Sequence, residues 1–329
     1  MRVLIIEPRL AHRGRGNLTT TRRWTQGLRA KGVDVVTAAP DEVGGLDDDA
    51  FDVVHAHHAG RSGPAGVTLA HRHRLPLVVS SGGTDIRGPR AFTPETQDVL
   101  RKADLVISPF SSDADVLEDA LGGAVPFAAV PRGIPVGTPP VPPEVSESNR
   151  WLFSGGLRDV KDPLLAARTA AAARRAGFDV VLDIYGPAID EGLLRDLEDA
   201  LAQTPDRYHG EVSPRAMGEI YTSHDLLINS SISEGASNSI LEGWRSGLVV
   251  LARRAPGNVE MLRDARKEIA FLFDEKRLLD APMRDWLRAA MGDRRANARR
   301  AWEHVRDHHS LEREIDALLG AYRRVVAMG

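Results

Sequence analysis

Two glutamates, Glu234 and Glu242, stand at either end of a stretch rich in serine, asparagine and glycine. An ionised carboxylate only accepts hydrogen bonds, and a pair of sugar hydroxyls donates two, so each glutamate is suited to hold a polyol. If most of the interval is helical, at about 1.5 Å per residue, the two backbones lie about 12 Å apart. The alternative is that both carboxylates are solvated charges on a helix face.

The residues around the two glutamates predict a strand, a turn and a helix. The apolar run 226–228 suits a short buried strand. After the turn, apolar residues recur at helical spacing and a glycine suits the helix end. These residues are Ile240, Leu241, Trp244, Leu248 and Gly247. A helix start offers unpaired N–H groups and a partial positive charge, which together hold a phosphate.

The turn itself is made of small and polar residues. Gly235 and Ala236 leave room for a ligand to approach the backbone. Ser237, Asn238 or Ser239 is able to cap the helix. A diphosphate at the helix start, with one polyol on each side, matches a nucleotide sugar.

Two cations are predicted at the same edge of the structure. Strand 151–154 leads into a loop with Arg158 and Lys161, and Pro163 suits the first turn of the next helix. Loops that follow parallel strands share one sheet edge, so both cations face the edge that carries Glu234. There they could neutralise a leaving diphosphate. The alternative is that they are solvated loop charges.

The first half alternates short β-branched runs with helical segments, which predicts a parallel, doubly wound α/β sheet. Three loops after its strands carry polar residues. The first, 12–19, is rich in glycine, with a phosphate loop and a plain turn as equal alternatives. The second contains His55, His57 and His58, and the third ends in Asp85. Asp85 is either a ligand at the sheet edge or the cap of a turn.

We predict no metal site. His55 and His57 share one face of a strand whereas His58 faces away, and no carboxylate stands at metal-site spacing. Strand-end packing is the favoured interpretation of the histidines. The run Asp47–Asp49 lies in a polar loop and is interpreted as a solvated turn.

The composition excludes several classes of protein. The chain has 329 residues, a net charge of -3 and no cysteine. This length suffices for two cores, the missing cysteines exclude disulfides, and the charge offers no basic field for nucleic acid. No apolar run is long enough to cross a bilayer and the N-terminus begins as a strand, so we expect a soluble, cytoplasmic protein.

The paired glutamates in their strand–turn–helix context resemble the motif of retaining glycosyltransferases of family four, which have the GT-B fold of two Rossmann-like domains facing across a cleft. Two further motifs, Gly-Asn-x-x-Thr-x-Arg-Arg-Trp and Gly-x-Leu-Arg-Asp-x-Lys-Asp-Pro, are similar to a subgroup with the human glycosyltransferase 1 domain-containing protein and bacterial selenosugar synthases. The resemblance implies Glu234 on the transferred sugar and Glu242 on the ribose. It also implies Lys161 and Arg158 on the diphosphate.

The resemblance implies further binding residues in both halves. Those expected at the nucleotide sugar are Gly16, Asn17, Gly186, Val212, Glu234, Gly235, Ala236, Ser237, Asn238 and Glu242. Those expected on the acceptor side are Thr19, His55, His57 and Asp85. The chain departs from the family in two places. Gly82 stands where many members have a histidine, and Arg158 lies two places after the usual arginine.

The proline-rich segment 135–148 has the composition of a stiff linker. We therefore expect an acceptor-side domain at 1–147, a nucleotide-sugar domain at 148–309, and a closing helix at about 310–329 that packs back on the first.

The expected function is metal-independent, retaining transfer of a sugar from a nucleotide-diphosphate sugar to a small-molecule acceptor, without a cofactor. The alternatives are a sulfur or selenium nucleophile as in selenosugar synthases, a nucleotide-sugar-binding protein without turnover, and a GT-B epimerase. The sequence is compatible with either a monomer or a homodimer.

Overall fold

The computed structural model describes residues 1–8, 15–46, 51–88, 91–141 and 149–328. The chain forms two compact units, one of Met1–Pro135 with His309–Gly329 and one of Val136–His308. The division falls at Pro135, whereas the sequence analysis placed it at 147, and residues 142–148 lie outside the described part of the chain.

The first unit contains a parallel sheet of six strands in the order β2-β1-β3-β4-β5-β6. Its strands are β1 (Arg2–Ile6), β2 (Asp34–Ala38), β3 (Val53–His57), β4 (Leu77–Ser80), β5 (Leu105–Ser108) and β6 (Phe127–Ala129). Its helices are α1 (Arg15–Ala30), α2 (Gly63–His73), α3 (Thr84–Arg87), α4 (Pro94–Lys102), α5 (Asp113–Leu121) and, from the end of the chain, α13 (Leu311–Val326).

The second unit contains another parallel sheet of six strands, in the order β12-β11-β10-β7-β8-β9. Its strands are β7 (Asn149–Ser154), β8 (Val180–Tyr185), β9 (Arg207–Tyr208), β10 (Leu226–Asn229), β11 (Val249–Arg253) and β12 (Ala270–Phe273). Its helices are α6 (Pro163–Arg175), α7 (Glu191–Leu201), α8 (Pro214–Thr222), α9 (Asn238–Arg245), α10 (Pro256–Leu262), α11 (Ala281–Gly292) and α12 (Arg294–His308).

Both faces of the first sheet are covered by helices, which explains its continuous apolar strands. In β1, Val3 and Ile5 pack with Trp24 of α1, whereas Leu4 and Ile6 point to the opposite core. The predicted doubly wound α/β architecture with two parallel sheets is confirmed.

Helix α13 completes the first unit through buried polar contacts. The indole Nε1 of Trp24 donates to Oε1 of Glu314 at 2.8 Å, and the backbone N–H of Gly133 donates to Oε2 at 3.0 Å. Arg132 lies 3.3 Å from the same carboxylate and stacks over the Trp24 ring. A buried carboxylate with these partners ties α13 to α1 and to the segment after β6.

Helix α1 begins earlier than the sequence predicted. Gly16 and Asn17 lie in its first turn rather than in a loop, and the Asn17 side chain lies outside the described part of the chain. The inward positions predicted for Trp24 and Leu28 are confirmed, with 3% and 0% of their surface exposed. None of the helices in the described ranges is long and apolar enough to span a bilayer.

Candidate functional site

Polar side chains meet at the carboxyl edge of the second sheet. Strand β10 ends at Asn229, and the turn that contains Glu234 leads into α9 at Asn238. Strand β7 ends at Ser154, and a short 3₁₀ turn ends at Lys161 just before α6. Because β7 and β10 are parallel neighbours, their following turns lie side by side.

Glu234 is buried and its Oε1 atom collects three hydrogen bonds. Lys161 Nζ donates at 2.6 Å, Ser231 Oγ at 2.7 Å and Asn229 Nδ2 at 3.2 Å. Burial alone would raise the pKa of the Glu234 carboxyl, but the Lys161 charge and these hydrogen bonds hold it below its usual value. Glu234 is therefore an ionised carboxylate, held in a fixed position by one oxygen.

Asn229 organises the turn around this carboxylate. Its Nδ2 also donates to Ser237 Oγ at 3.2 Å, and its Oδ1 accepts from the Ser231 backbone N–H at 3.1 Å. Asn258 of α10, fully buried, donates to the same Oδ1 at 3.2 Å. No role was predicted for Asn229 or Asn258 from the sequence, although the polar run directly after the apolar strand was a signal that could have found Asn229.

The backbone locks the two turns together. The Ser230 hydroxyl lies 2.9 Å and 2.7 Å from the carbonyl oxygens of Lys161 and Asp162, and the Ile232 N–H donates to Val160 O at 2.9 Å. A Cβ on Gly257 would lie 2.0 Å from the Glu234 carbonyl oxygen, so α10 reaches this turn only because residue 257 is glycine. The Lys161–Glu234 pair is thus held by both main chains.

Further positive charge lies at the same edge. Arg158 stands at the start of the 3₁₀ turn, and within the described chain its buried Nε has no hydrogen-bond partner. Arg253, at the end of β11, lies 3.2 Å from Asp162 and also pairs with Glu275. Lys161 lies next to Glu234 as the sequence predicted, and Arg158 lies three residues before Lys161 in the same turn. No role was predicted for Arg253.

The start of α9 and Glu242 lie on the other side of the turn. Ser237 occupies the cap position, but its side chain bonds Asn229 and Ser239 rather than the helix amides. Glu242 is half-buried on α9. Burial, followed by the neighbouring Glu242 carboxylate, raises the pKa of the Tyr221 hydroxyl well above its usual value, so this hydroxyl stays protonated beside Glu242.

Two loops predicted at the nucleotide base lie after β8 and β9. The Tyr208 hydroxyl donates to the Gly186 carbonyl at 2.8 Å, and the Gly186 N–H donates to Gly210 O at 2.8 Å. Val212 follows in the same loop, half-buried. These bonds hold the Gly186 and Val212 segments together at the carboxyl edge of the sheet.

In the first unit, Asp85 is turned onto the backbone. It is 3% exposed, and its carboxylate accepts from the Ala59 N–H at 2.7 Å and from the Gly82 N–H at 2.9 Å and 3.1 Å. These bonds join the loops after β3 and β4. They favour the structural alternative that the sequence left open for Asp85.

His55 and His57 lie inside the first unit, fully buried. Ser80 Oγ lies 2.7 Å from His55 Nε2 and 2.8 Å from His57 Nδ1, and Tyr322 OH lies 2.6 Å from His55 Nδ1. Both rings pack against Trp24. His55 and His57 therefore pack at the end of the strand, which was the favoured interpretation from the sequence.

The other predicted residues of the first unit are less informative. Thr19 is exposed on α1. The run Asp47–Asp49 falls outside the described residues, as does the side chain of Asn17. In the described ranges, no group of three or more histidine, aspartate or glutamate side chains is arranged to hold a metal ion.

Residues 148–284 match the sequence profile of the family described as glycosyl transferases group 1. The matched segment is less than half of the chain and is similar to a glycosyltransferase group 1 domain. It contains Lys161, Glu234 and Glu242, so the site described above lies within the matched domain. This match supports the expectation of a glycosyltransferase.

A relative named glycosyltransferase 1 domain-containing protein 1, from Xenopus tropicalis, is 31% identical over 159 residues. The match covers 46% of this chain and 46% of the relative, so it spans about half the length of that curated protein.

Solved structures are similar over nearly the whole chain. HepE of Anabaena, solved in complex with UDP and glucose, has a TM-score of 0.78 at 14% identity and covers 98% of this chain and 100% of its own. Sucrose-phosphate synthase of Thermosynechococcus elongatus has a TM-score of 0.80 at 14% identity, with 100% of both chains covered. Both are GT-B glycosyltransferases, and the predicted GT-B fold class is confirmed.

Proposed function

We propose that this protein is a retaining glycosyltransferase of family four, which moves a sugar from a nucleotide-diphosphate sugar to a small-molecule acceptor without a metal ion. The donor binds at the carboxyl edge of the second sheet. The diphosphate lies at the start of α9, the sugar beside Glu234 and the ribose beside Glu242.

The observation that carries this proposal is the arrangement of Glu234. Lys161, Asn229 and Ser231 all bond Oε1, and none of these three bonds goes to Oε2. An oriented carboxylate with a second oxygen is suited to accept a hydroxyl of the transferred sugar. The same charge pairing makes Glu234 a poor nucleophile, which argues against a covalent glycosyl–enzyme intermediate.

Positive charge for the leaving group comes from the protein. Lys161 Nζ, Arg158 Nε and the start of α9 lie at one edge of the sheet, where charge builds up as the sugar–phosphate bond breaks. Lys161 would contact Glu234 and a phosphate oxygen together. This supply of charge is the reason to propose transfer without a divalent cation.

Retention follows if the acceptor attacks the anomeric carbon from the side that the diphosphate leaves. The bond from this carbon to the phosphate oxygen breaks, the bond to the acceptor atom forms, and the departing phosphate takes the acceptor proton. The electron pair of the broken bond stays on the diphosphate, which Lys161 and Arg158 stabilise. The protein contributes orientation and electrostatic stabilisation.

The HepE structure supports a uridine nucleotide as the first donor to test, because that protein is solved with UDP and glucose. We would screen UDP-, GDP- and ADP-sugars by thermal shift. The best donor is then incubated with a panel of polyols, thiols and selenophosphate, which separates oxygen transfer from sulfur or selenium transfer. NMR of the product reports its anomeric configuration.

We expect the melting temperature to rise when the donor is added and a product to form only when the acceptor is present. The product should have the same anomeric configuration as the donor. Lys161→Met should slow transfer by about 100-fold, whereas Lys267→Met, at an exposed lysine of the same unit, should not change it. An inverted anomer contradicts the retaining mechanism. A protein that binds no nucleotide sugar contradicts the proposal as a whole.

A further inference from the structure

His58 has a backbone that its residue type rarely adopts. It follows β3 directly and has a φ of 74°, in the left-handed region that favours glycine. Such conformations cost free energy, and they cluster at functional sites where the surrounding structure imposes them. No role was assigned to His58 from the sequence, because nothing in a single residue type announces a left-handed backbone.

The His58 ring occupies the space above Gly82. A Cβ built on Gly82 would lie 2.5 Å from Cδ2, 3.0 Å from Cγ and 3.1 Å from Cβ of His58. An imidazole at this place and a side chain on residue 82 therefore exclude each other. Many members of the family that the motifs resemble have a histidine at about the position of Gly82, whereas this chain places an imidazole next to Gly82 from the end of β3.

The neighbours of His58 orient its ring. Nδ1 is buried and lies 3.5 Å from Oδ2 of Asp85. The Asp85 carboxylate is fixed by the Ala59 and Gly82 amides. A negative charge on this side favours the proton on Nδ1, which leaves the lone pair on Nε2.

Nε2 lies on the side of the ring that faces Thr84. Its partner is the Thr84 hydroxyl at 3.3 Å, near the long end of hydrogen-bond distances, and Thr84 is exposed. A ligand hydroxyl could replace Thr84 there. Burial lowers the pKa of His58, the Asp85 carboxylate opposes this and the Arg61 charge adds to it, so the ring is neutral at pH 7 and able to accept.

We propose that Nε2 of His58 accepts a hydrogen bond from a hydroxyl of the acceptor, with Asp85 as the positioning residue behind it. This inference rests on the proposed function, because it concerns the second substrate of the same transfer. It assigns the acceptor a hydroxyl at the carboxyl edge of the first sheet.

The test moves the imidazole from one strand end to the other. His58→Gly removes the ring and suits the left-handed backbone, and the double variant His58→Gly with Gly82→His restores a ring to the same space. Arg74→Gly is the matched control, since Arg74 is exposed and also left-handed, with a φ of 52°. His58→Asn is a second loss variant, because asparagine tolerates this backbone.

Each variant is assayed with the best donor and the best hydroxyl acceptor of the panel above, and nucleotide affinity is measured by calorimetry with UDP. We expect kcat/KM for the acceptor to fall at least tenfold in His58→Gly and His58→Asn, with UDP affinity within twofold of the wild type. The double variant should recover at least threefold over His58→Gly. Arg74→Gly should match the wild type.

Two results overturn the role of His58. The first is a wild-type kcat/KM for the acceptor in either His58→Gly or His58→Asn. The second is a double variant whose melting temperature is no lower than that of His58→Gly but whose kcat/KM for the acceptor is just as low. If the melting temperature of the double variant is below that of His58→Gly, the acceptor kinetics of His58→Gly and His58→Asn decide whether His58 has this role. A wild-type protein that transfers to no acceptor overturns the proposed function instead.

Discussion

The hydroxyl of Tyr322 lies 2.6 Å from Nδ1 of His55, a residue 267 positions earlier in the chain. It begins a buried series that continues through Ser80 to His57. Both imidazoles are fully buried. Burial lowers the pKa of His55 to about 3, and burial together with the Arg132 charge lowers that of His57 well below its usual value.

The first prediction is a loss of stability in mild acid. In the unfolded chain both histidines bind a proton below about pH 6.5, whereas folded His55 stays neutral down to about pH 3. The free energy of unfolding should therefore fall as the pH decreases from 6.5 towards 3, by about 1.4 kcal/mol per pH unit for each such histidine.

Urea unfolding at pH 7.5, 6.0 and 5.0 measures this slope. His55→Asn should reduce it, and His71→Asn, at an exposed position of α2, should leave it as in the wild type. An equal slope in His55→Asn and wild type would contradict the assignment.

The second prediction concerns Lys161. Lys161→Met removes a cation from the leaving diphosphate and should lower kcat by about 100-fold. It also leaves Glu234 buried without its cationic partner, so the melting temperature should fall. Steady-state kinetics and thermal unfolding measure both. Lys267→Met serves as the control, and a Lys161→Met enzyme with wild-type kcat would exclude Lys161 from the site.

The third prediction separates the two glutamates. Glu242→Ala should weaken nucleotide binding by about tenfold, or about 1.4 kcal/mol, because a carboxylate acceptor for ribose hydroxyls is lost. Glu234→Gln should chiefly lower turnover. Calorimetry with UDP and initial-rate kinetics distinguish these effects, and Glu198→Ala, exposed on α7, is the control. Wild-type nucleotide affinity in Glu242→Ala would remove Glu242 from the ribose site.

The fourth prediction concerns metal. Turnover should survive EDTA, since Lys161, Arg158 and the α9 start supply the positive charge at the diphosphate. The measurement is the initial rate after dialysis against EDTA, with and without added magnesium or manganese. A rate lost in EDTA and restored by either ion would require a divalent cation in the mechanism.

The fifth prediction concerns Asp85. Oδ2 accepts from both the Ala59 and the Gly82 amides, so asparagine can keep these two bonds, but its NH₂ group then faces the Gly82 N–H at the place of Oδ1. The loss of the charged acceptor, together with this contact between two donors, should destabilise Asp85→Asn by about 1 kcal/mol. Urea unfolding measures this loss, with Asp98→Asn, at an exposed position of α4, as the control. Unchanged stability would show that the two loops do not depend on this carboxylate.

The sequence predicted the second unit better than the first. The apolar run before Glu234 and the helical spacing after it defined β10 and α9, because both elements are set by local periodicity. That Lys161 and Glu234 share an edge followed from parallel topology. Their ion pair could not be predicted in this way, because it depends on contacts of Asn229 and Ser230 and on the close packing of α10 against the Glu234 backbone at Gly257.

The first unit depends more on contacts between distant segments. Asp85 follows Gly-Gly-Thr, a context that suits both a cap and a ligand, and its partner Ala59 stands 26 positions earlier. The left-handed backbone of His58 arises from tertiary packing and leaves no periodic signal. The early start of α1 at Arg15 was missed because glycine and asparagine near a strand end also suit a loop.

The contribution of α13 to the first unit has a consequence for the order of folding on the ribosome. Residues 136–308 form a continuous unit and can become compact as soon as they have emerged. The first unit completes later, because Trp24 and His55 find their buried partners Glu314 and Tyr322 only when α13 has been translated. Until then the first unit has an incomplete core, so residues 1–135 are translated before the second unit and reach their native state after it.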